Sequence, residues 1–279
     1  MWFGWLEKGC KIALQDYKGT ETLKSVELSV LASSSSGNST LLRIGGYNFL
    51  IDVGVSCFYL KKALESLYLR IGDIDAVFIT HEHTDHVKGL EVFMKNYNIP
   101  VFIREKCLYE VSRKVSCRNC FQILNDDIKF NDVKVSFFPT SHDAIDPIGY
   151  EFSYKDFCFS YITDLGEVTS DVKYAIDKSD LLVLESNHDI EMLKNGSYPY
   201  YLKKRILSSN GHLSNKDAAF ALLNSKIKKR NIVLGHLSEK NNCIELLKKT
   251  YREIFGKSKL PFKIKIAKPR EIVGLKINI

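Results

Sequence analysis

The sequence predicts an α/β sandwich in a single domain, with two β-rich halves flanked by helices. Three observations predict it. From Val26 onward, apolar runs of strand character alternate with segments at helical spacing. No linker rich in Pro, Gly or Ser divides the chain after residue 25. Ionisable residues recur just beyond the ends of the apolar runs, at Asp52, the group around His81, His142, Asp164, His188 and His236. Strand ends gathered on one edge of a sheet would focus such residues on a common point.

The elements follow in order. Residues 1–24 lack clear periodicity and read as an N-terminal extension, either a mobile arm or the product of an early start codon. The domain is expected over residues 25–279. Its first strand is 26–31. A loop of small residues at 33–39 leads to strands at 40–44 and 47–51, joined by Gly45-Gly46, a hairpin signal. Residues 56–67 read as a helix because Leu60, Ala63, Leu64 and Leu67 fall at helical spacing. A buried strand over 75–80 precedes a helix at 87–96, with Val87, Leu90, Phe93 and Met94 on one face. A strand at 100–103 and a helix at 105–114 follow. The second half repeats the style. Strands are expected at 133–138, at 148–154 and 157–162 around Lys155-Asp156, at 181–185, at 232–234, and at 262–266 and 272–277. Helices are expected at 199–208 and 215–224.

Composition narrows the function classes. The chain has 279 residues, 45% apolar and 26% charged, enough for a substantial core. No apolar run approaches the roughly 20 residues of a membrane span. Glu7, Lys8 and Lys11 interrupt the opening stretch, so it lacks the apolar centre of a secretory signal. A cytoplasmic protein without membrane association is expected. Seven cysteines, odd in number and scattered, do not form a disulfide framework. Cys117 and Cys120 make a C-x-x-C, but no second pair or histidine lies within about 20 residues to complete a zinc knuckle. Reduced bystander thiols are the simpler reading. The net charge is +7 and uneven: residues 226–279 hold 15 Lys and Arg against 4 Asp and Glu, a net of +11, and the remainder carries −4. One-sided positive charge attracts phosphate backbones. A solvated lysine-rich surface explains it equally well.

The densest chemistry is Thr80-His81-Glu82-His83-Thr84-Asp85-His86, which follows the apolar run Ala76-Val77-Phe78-Ile79. Imidazole with carboxylate suits a borderline divalent ion such as Zn²⁺, with Mn²⁺ or Fe also open. Four ligand-type side chains exceed what one tetrahedral ion would take from a single loop if others contribute. That hints at two metals. His142, Asp164 and His236 each follow an apolar run and are the natural partners. A lone histidine at a strand end is more often a satisfied polar residue than a ligand. Two hydrolytic metals, however, need about six to eight protein ligands. The set supplies five histidines and two aspartates, with Asp164 able to bridge.

His81-x-His83-x-Asp85-His86 resembles the H-x-H-x-D-H signature of the metallo-β-lactamase-fold hydrolases, and His142, Asp164 and His236 fall in that family's order. The resemblance covers nearly all of residues 26–279. It implies a four-layer αββα sandwich. It implies that His81, His83 and His142 hold a first metal and Asp85, His86 and His236 a second. Asp164 would bridge them, and Asp52 would orient the cluster from behind. Two metals roughly 3.5–4 Å apart would share a water and lower its pKa, giving the attacking hydroxide. Asp85 could aim that hydroxide.

Three features bear on the substrate. Class B β-lactamases usually carry cysteine where this chain has Asp164, so β-lactam hydrolysis is not expected. Next, Asn210-Gly211-His212-Leu213-Ser214-Asn215 precedes the helix at 215–224. Ser214 reads as its N-cap, and a helix start receives phosphate well. His212 is then placed to touch a phosphate or protonate a leaving oxygen. The plainer reading is a cap beside a bystander histidine. The position resembles that of the extra catalytic histidine in phosphodiesterase members such as tRNase Z. Third, longer stretches resemble the YycJ/WalJ branch of the family. They are Leu31-Ala32-Ser33-Ser34-Ser35-Ser36-Gly37-Asn38-Ser39, Leu184-Glu185-Ser186-Asn187-His188-Asp189, Tyr198-Pro199 with Leu202-Lys203-Lys204-Arg205-Ile206, and Gly211-His212-Leu213-Ser214-Asn215. That branch implies a 5′→3′ DNA exonuclease linked to mismatch repair. Ser34 stands where many relatives carry glycine and His188 where they often carry tyrosine. Only 71 residues separate Asp164 from His236, too few for the inserted β-CASP domain of RNase J and its kin. Substrate grip is therefore expected from loops and from the basic C-terminal region.

The sequence thus predicts a dinuclear metal-dependent phosphodiesterase, with DNA, single- or double-stranded, as the expected partner and RNA as an alternative. Monomer and dimer stay open. Asp85 and His212 are the expected catalytic residues; His188, Ser214 and Asn215 are expected substrate contacts. The rivals are a small-molecule cyclic phosphodiesterase or thioester hydrolase of the same fold, and a non-catalytic nucleic-acid-binding module. The complete ligand set speaks against the module.

Overall fold

Strands and helices alternate as expected, and the strands sort into two sheets of seven. The structure is a computed structural model and describes residues 25–226, 230–256 and 262–279. The expected extension at 1–24 lies outside the described residues. The first sheet holds β1 (Ser25–Ala32), β2 (Ser39–Ile44), β3 (Tyr47–Ile51), β4 (Ala76–Phe78), β5 (Val101–Ile103) and β6 (Phe121–Ile123) in chain order. The second holds β7 (Ile128–Phe130), β8 (Val133–Pro139), β9 (Ile148–Tyr154), β10 (Phe157–Ile162), β11 (Leu181–Glu185), β12 (Arg230–Gly235) and β13 (Phe262–Ile266). The last strand, β14 (Val273–Asn278), crosses back to pair antiparallel with β1.

Helices cover the two outer faces. α1 (Cys57–Ser66), α2 (Thr84–Val87), α3 (Leu90–Asn96) and α4 (Glu105–Lys114) belong to the first half. α5 (Ser170–Lys178), α6 (Ile190–Asn195), α7 (Tyr200–Ile206), α8 (Asn215–Leu223) and α9 (Ile244–Phe255) belong to the second. Three apolar cores follow from this layering. Between the sheets lies an aromatic core in which Phe49 meets Phe78 edge-on at 5.5 Å and Phe78 meets Phe152 at 5.4 Å. Leu60, Leu64, Phe93 and Val111 from the helices pack on the outer face of the first sheet. Val172, Ile176, Leu222, Leu247 and Tyr251 do the same on the second. The order is helix, sheet, sheet, helix, the expected αββα sandwich. Strands buried on both faces are why the runs at Leu181–Glu185 and Phe157–Ile162 read as continuously apolar.

Each sheet is half antiparallel and half parallel. β3, β4, β5 and β6 run parallel, and so do β10, β11, β12 and β13. Their carboxyl ends open at one edge of the sandwich, where sites in open parallel sheets form.

The details depart from expectation in places. The strand expected over 75–80 stops at Phe78. The helix expected over 87–96 is broken at Gly89, whose N–H donates to Val53 O at 2.8 Å. A Cβ at Gly89 would stand 2.0 Å from Val55 O, so the chain passes there only as glycine. α5, α6 and α9 exceed the expected elements. α5 carries a readable cap, Thr169 Oγ1 accepting from Val172 N, and α9 buries Leu247, Tyr251 and Phe255 at four-residue spacing. No described helix is long and apolar enough to cross a membrane.

Candidate metal centre

Most of the chemically interesting side chains at this edge come from the residues just after a strand. Asp52 follows β3, Asp164 lies in the loop after β10, and His236 follows β12. All three hold left-handed backbone, with φ of 61°, 59° and 55°. That conformation costs of order 1–3 kcal/mol in a non-glycine residue and persists only where its surroundings fix it. Here they do: Asp52 N–H donates to Phe78 O at 2.9 Å, and His236 N–H donates to Ser33 Oγ at 2.7 Å. The loop after β4 carries His81. His83 is the residue before α2, and α2 itself carries Asp85 and His86. Gly54 lets the β3 end lie against α2, since a Cβ there would fall 1.6 Å from Asp85 O. His142 follows β8, and Tyr150 of β9 ties the sheets at this point by donating its hydroxyl to Ile79 O at 2.7 Å.

The expected ligands converge. Donor atoms of His81, His83 and His142 lie within 4.8 Å of one another, and so do those of Asp85, His86 and His236. Asp164 stands between the groups. One carboxylate oxygen is 3.2 Å from His86 Nε2; the other is 3.6 Å from His142 Nε2 and 3.5 Å from His236 Nε2. Asp85 Oδ2 lies 3.4 Å from His86 Nε2 and 3.6 Å from His236 Nε2.

The outer nitrogens of four of these rings are already engaged. His86 Nδ1–H donates to Asp52 Oδ2 at 2.8 Å, His142 Nδ1–H to Gly211 O at 2.9 Å, and His236 Nδ1–H to Glu185 Oε1 at 2.8 Å. These partners only accept, which sets the protonated nitrogen as Nδ1 and turns Nε2 inward. His81 Nδ1 meets Thr80 Oγ1 at 3.0 Å, and Thr80 in turn bonds Asp52 through its N–H and hydroxyl. Asp52 therefore sits behind the cluster, in the orienting position expected of it.

Do these residues fit a metal? His81 Nε2, His236 Nε2 and Asp164 Oδ2 are buried and make no hydrogen bond. Each such orphan costs about 1–3 kcal/mol if nothing meets it. An all-nitrogen-and-oxygen donor set of imidazoles and carboxylates suits a divalent ion. Charge agrees. Burial pushes the His81 and His83 imidazoles below the usual histidine range, toward the neutral form that ligates. Burial alone would raise the Asp164 carboxyl, but the charges of His236 and His86 hold it well below the ordinary value. The site fits divalent cations.

Two residues that the sequence reading left out matter here. Glu185, the fully buried last residue of β11, accepts from both His236 Nδ1 and His212 Nδ1 at 2.8 Å through one oxygen. Its second oxygen accepts from Leu165 N at 3.0 Å. Burial would raise its carboxyl, yet His212 and His236 pull it down to about 2. An acid closing an apolar strand was the available signal. Asn38, buried in the serine-rich loop, donates to Asp85 Oδ2 at 3.2 Å and lies 3.2 Å from His86 Nε2. Glu185→Gln should weaken metal binding, lower activity, or both, by roughly 10- to 100-fold. The new amide N–H₂ would face the Leu165 N–H, and the charge that orients both imidazoles would be gone. Metal titration and kcat of the variant check this; wild-type values for both would strip Glu185 of a positioning role.

His212 lies where the sequence suggested, beside the cluster. Its ring centre is 4.9 Å from that of His142 and 5.3 Å from that of His236, and its Nδ1 is 3.8 Å from Asp164 Oδ1. With Nδ1 bound to Glu185, Nε2 is the nitrogen left for another partner. The expected substrate contacts fare differently. Ser214 caps α8 and is buried, accepting from Asp217 N at 3.1 Å. Asn215 is buried and bonds Ser186 Oγ at 2.7 Å and Asn242 at 2.9 Å. Both side chains are spent on the fold, and Asp217 adds a carboxylate to the helix start, so this helix end is a poor seat for phosphate. His188 is 1% exposed and neither ring nitrogen makes a hydrogen bond. Burial lowers it to about 4, and it stands behind the site rather than in an open cleft. The Cys117 and Cys120 thiols are free, and Cys120 Sγ donates to Asn98 Oδ1 at 3.2 Å.

Layer order and donor set together define a class, the metal-dependent hydrolases of the metallo-β-lactamase fold. The chain belongs to this family: residues 47–237 match the model of the Beta-lactamase superfamily domain. Its relatives narrow the branch. The exodeoxyribonuclease YycJ of Bacillus anthracis is 37% identical over 238 residues, 82% of this chain and 89% of that protein. The exodeoxyribonuclease WalJ of Streptococcus pneumoniae is 38% identical over 228 residues, 78% and 84% of the two chains. Among solved structures, the metallo-β-lactamase fold protein YhfI of Bacillus subtilis superposes with a TM-score of 0.66 at 16% identity, covering 90% of this chain and 99% of its own. That likeness speaks to the fold.

Proposed function

We propose that this hydrolase is a DNA exonuclease working 5′→3′ with two divalent metal ions, zinc or manganese. The observation that carries the reading is the Glu185–His212 pair beside Asp164, which sets a proton carrier at the edge of the donor cluster. Phosphodiester cleavage needs such a group, because its alkoxide leaving group must gain a proton. The names of the two exodeoxyribonuclease relatives support the same substrate class. Among the described residues the thiols are unpaired, as expected in the cytoplasm, where this activity would serve DNA repair.

In this reading His81, His83 and His142 hold one ion, Asp85, His86 and His236 the other, and Asp164 both. Bound ions supply an acidified water near neutral pH and positive charge for the developing oxyanion. The chain's residues do the rest. Asp52, Gly211 O and Glu185 fix ring orientation. Asp85, braced by Asn38, accepts a hydrogen bond from the attacking water and aims it. Glu185 accepts from His212 Nδ1–H, so in the imidazolium it is Nε2–H that faces the leaving oxygen and gives it a proton, leaving the neutral Nδ1–H ring.

Turnover of a DNA oligonucleotide, a cyclic nucleotide and a thioester at several salt concentrations tests the substrate class. On DNA, log kcat/KM should fall with log salt, by about 0.7–0.9 per phosphate contact. Faster turnover of the thioester or cyclic nucleotide, with no salt dependence, would overturn the nuclease assignment.

A further inference from the structure

One motif singled out in the sequence has no part in the chemistry above: Tyr198-Pro199 with the lysine-rich run that follows. It forms α7, Tyr200–Ile206, a helix with no buried side chain. Seven residues are too few to hold a helix on their own. Specific ties hold this one. Lys203 Nζ donates to Lys194 O at 2.7 Å, and Arg205 pairs with Asp143. Both ends of that second tie touch the centre. Asp143 Oδ1 is 3.4 Å from His142 Nε2, and the carbonyls of Arg205 and Ile206 crowd Gly211, whose own carbonyl holds His142. His212 N–H donates to Ile206 O at 3.0 Å. The helix is therefore fixed against the first donor group without contributing to any core.

What it presents outward is unusual for a surface. Tyr200 is 82% exposed and Tyr201 74%. Among the described residues, neither ring stacks on another aromatic ring or a cation. One turn on, Lys204 and Arg205 stand four residues from the two tyrosines, so each ring shares a face with a cation about 6 Å along the axis. Lys204 makes no ion pair among the described residues. Paired aromatic faces and cations are the means by which proteins hold single-stranded nucleic acid without reading its sequence. The charge of the C-terminal region is placed otherwise: Lys276 pairs with Glu27 at 2.6 Å, Lys265 Nζ donates to Gly274 O at 2.6 Å, and Lys268 pairs with Glu271 at 2.8 Å.

We infer that α7 is the grip for a single-stranded stretch of the substrate next to the scissile phosphate. Bases stack on Tyr200 and Tyr201, and Lys204 holds a phosphate. This differs from the expectation that the basic C-terminal region supplies the grip, and it rests on the nuclease reading. The consequence is a preference for frayed or unpaired ends over blunt duplex.

The test is kinetic, on the full-length metal-loaded protein, with a single-stranded oligonucleotide and with bis-p-nitrophenyl phosphate, a diester too small to reach α7. Tyr200→Ala/Tyr201→Ala should lower kcat/KM on the oligonucleotide by roughly 5- to 100-fold. The loss on the small diester should be at least ten times less. Lys204→Ala should flatten the salt dependence on the oligonucleotide by about 0.7 in log–log slope. Tyr109→Ala, a comparably exposed tyrosine on α4, controls for removing a surface ring. An equal loss on both substrates, or no loss on the oligonucleotide while wild type cleaves it, overturns the role of α7 and leaves the nuclease reading standing. Wild type that hydrolyses the small diester but neither cleaves nor binds the oligonucleotide overturns both.

Discussion

Asp164→Asn should lower kcat by about 10³-fold or more, the largest loss expected from any single substitution in this chain. The variant keeps the shape of the side chain and removes its charge. Among the described residues, Asp164 is the one carboxylate within 3.6 Å of rings from both donor groups, at His86, His142 and His236. Its charge would offset that of the cations and imidazoles gathered in a buried site. Several kcal/mol of charge stabilisation vanish with it, at about 1.4 kcal/mol per factor of ten. Metal content should fall in parallel. Ligands that bind only the folded state raise stability by mass action, so wild type should melt lower in chelator than in metal, and the variant should show a smaller gap. Atomic absorption and melting curves read both effects. Wild-type metal content and kcat in this variant would contradict the bridging position.

The second large effect falls on His212. His212→Ala should lower kcat by roughly 10²- to 10⁴-fold, the span of general acid–base catalysis by one positioned group. Metal content should stay at the wild-type level, because His212 belongs to neither triad of the six expected ligands. Its partner Glu185 also holds His236, at 2.8 Å, by a bond that does not pass through His212. A substrate whose leaving group needs no proton, such as a nitrophenolate ester, should recover most of the rate. A uniform loss on both substrates would reassign His212 to phosphate binding, and no loss would remove it from the reaction.

Much of the centre was legible because its signals are local. The His81–His86 spacing compresses four ligand types into one loop, and no packing knowledge is needed to see it. His142, Asp164 and His236 were legible as polar residues that end apolar runs. What local signals could not show is which strand lies beside which. Glu185 ends an ordinary-looking apolar strand, and its role arises only because β11 sits between β10 and β12, bringing its carboxylate to His236. The left-handed backbone at Asp52 and His236 is likewise held by partners distant in sequence, Phe78 O and Ser33 Oγ. Ser214 and Asn215 failed for the opposite reason. The cap signal was correct, but a cap reads the same whether the helix start faces substrate or core. The charge run of the C-terminal region was harder to place because net charge along a sequence carries no address: among the described residues, strands β13 and β14 and helix α9 spread it over edge and outer face.

Digestion of one duplex labelled at the 5′ end of one strand or at its 3′ end, with Mn²⁺, Zn²⁺ or chelator, tests the central claim most directly. The account predicts early release of a labelled mononucleotide from the 5′-labelled strand, progressive shortening of the 3′-labelled strand, and no reaction in chelator. Release from the 3′ label first would contradict the polarity, and intact DNA with either metal would contradict the nuclease itself.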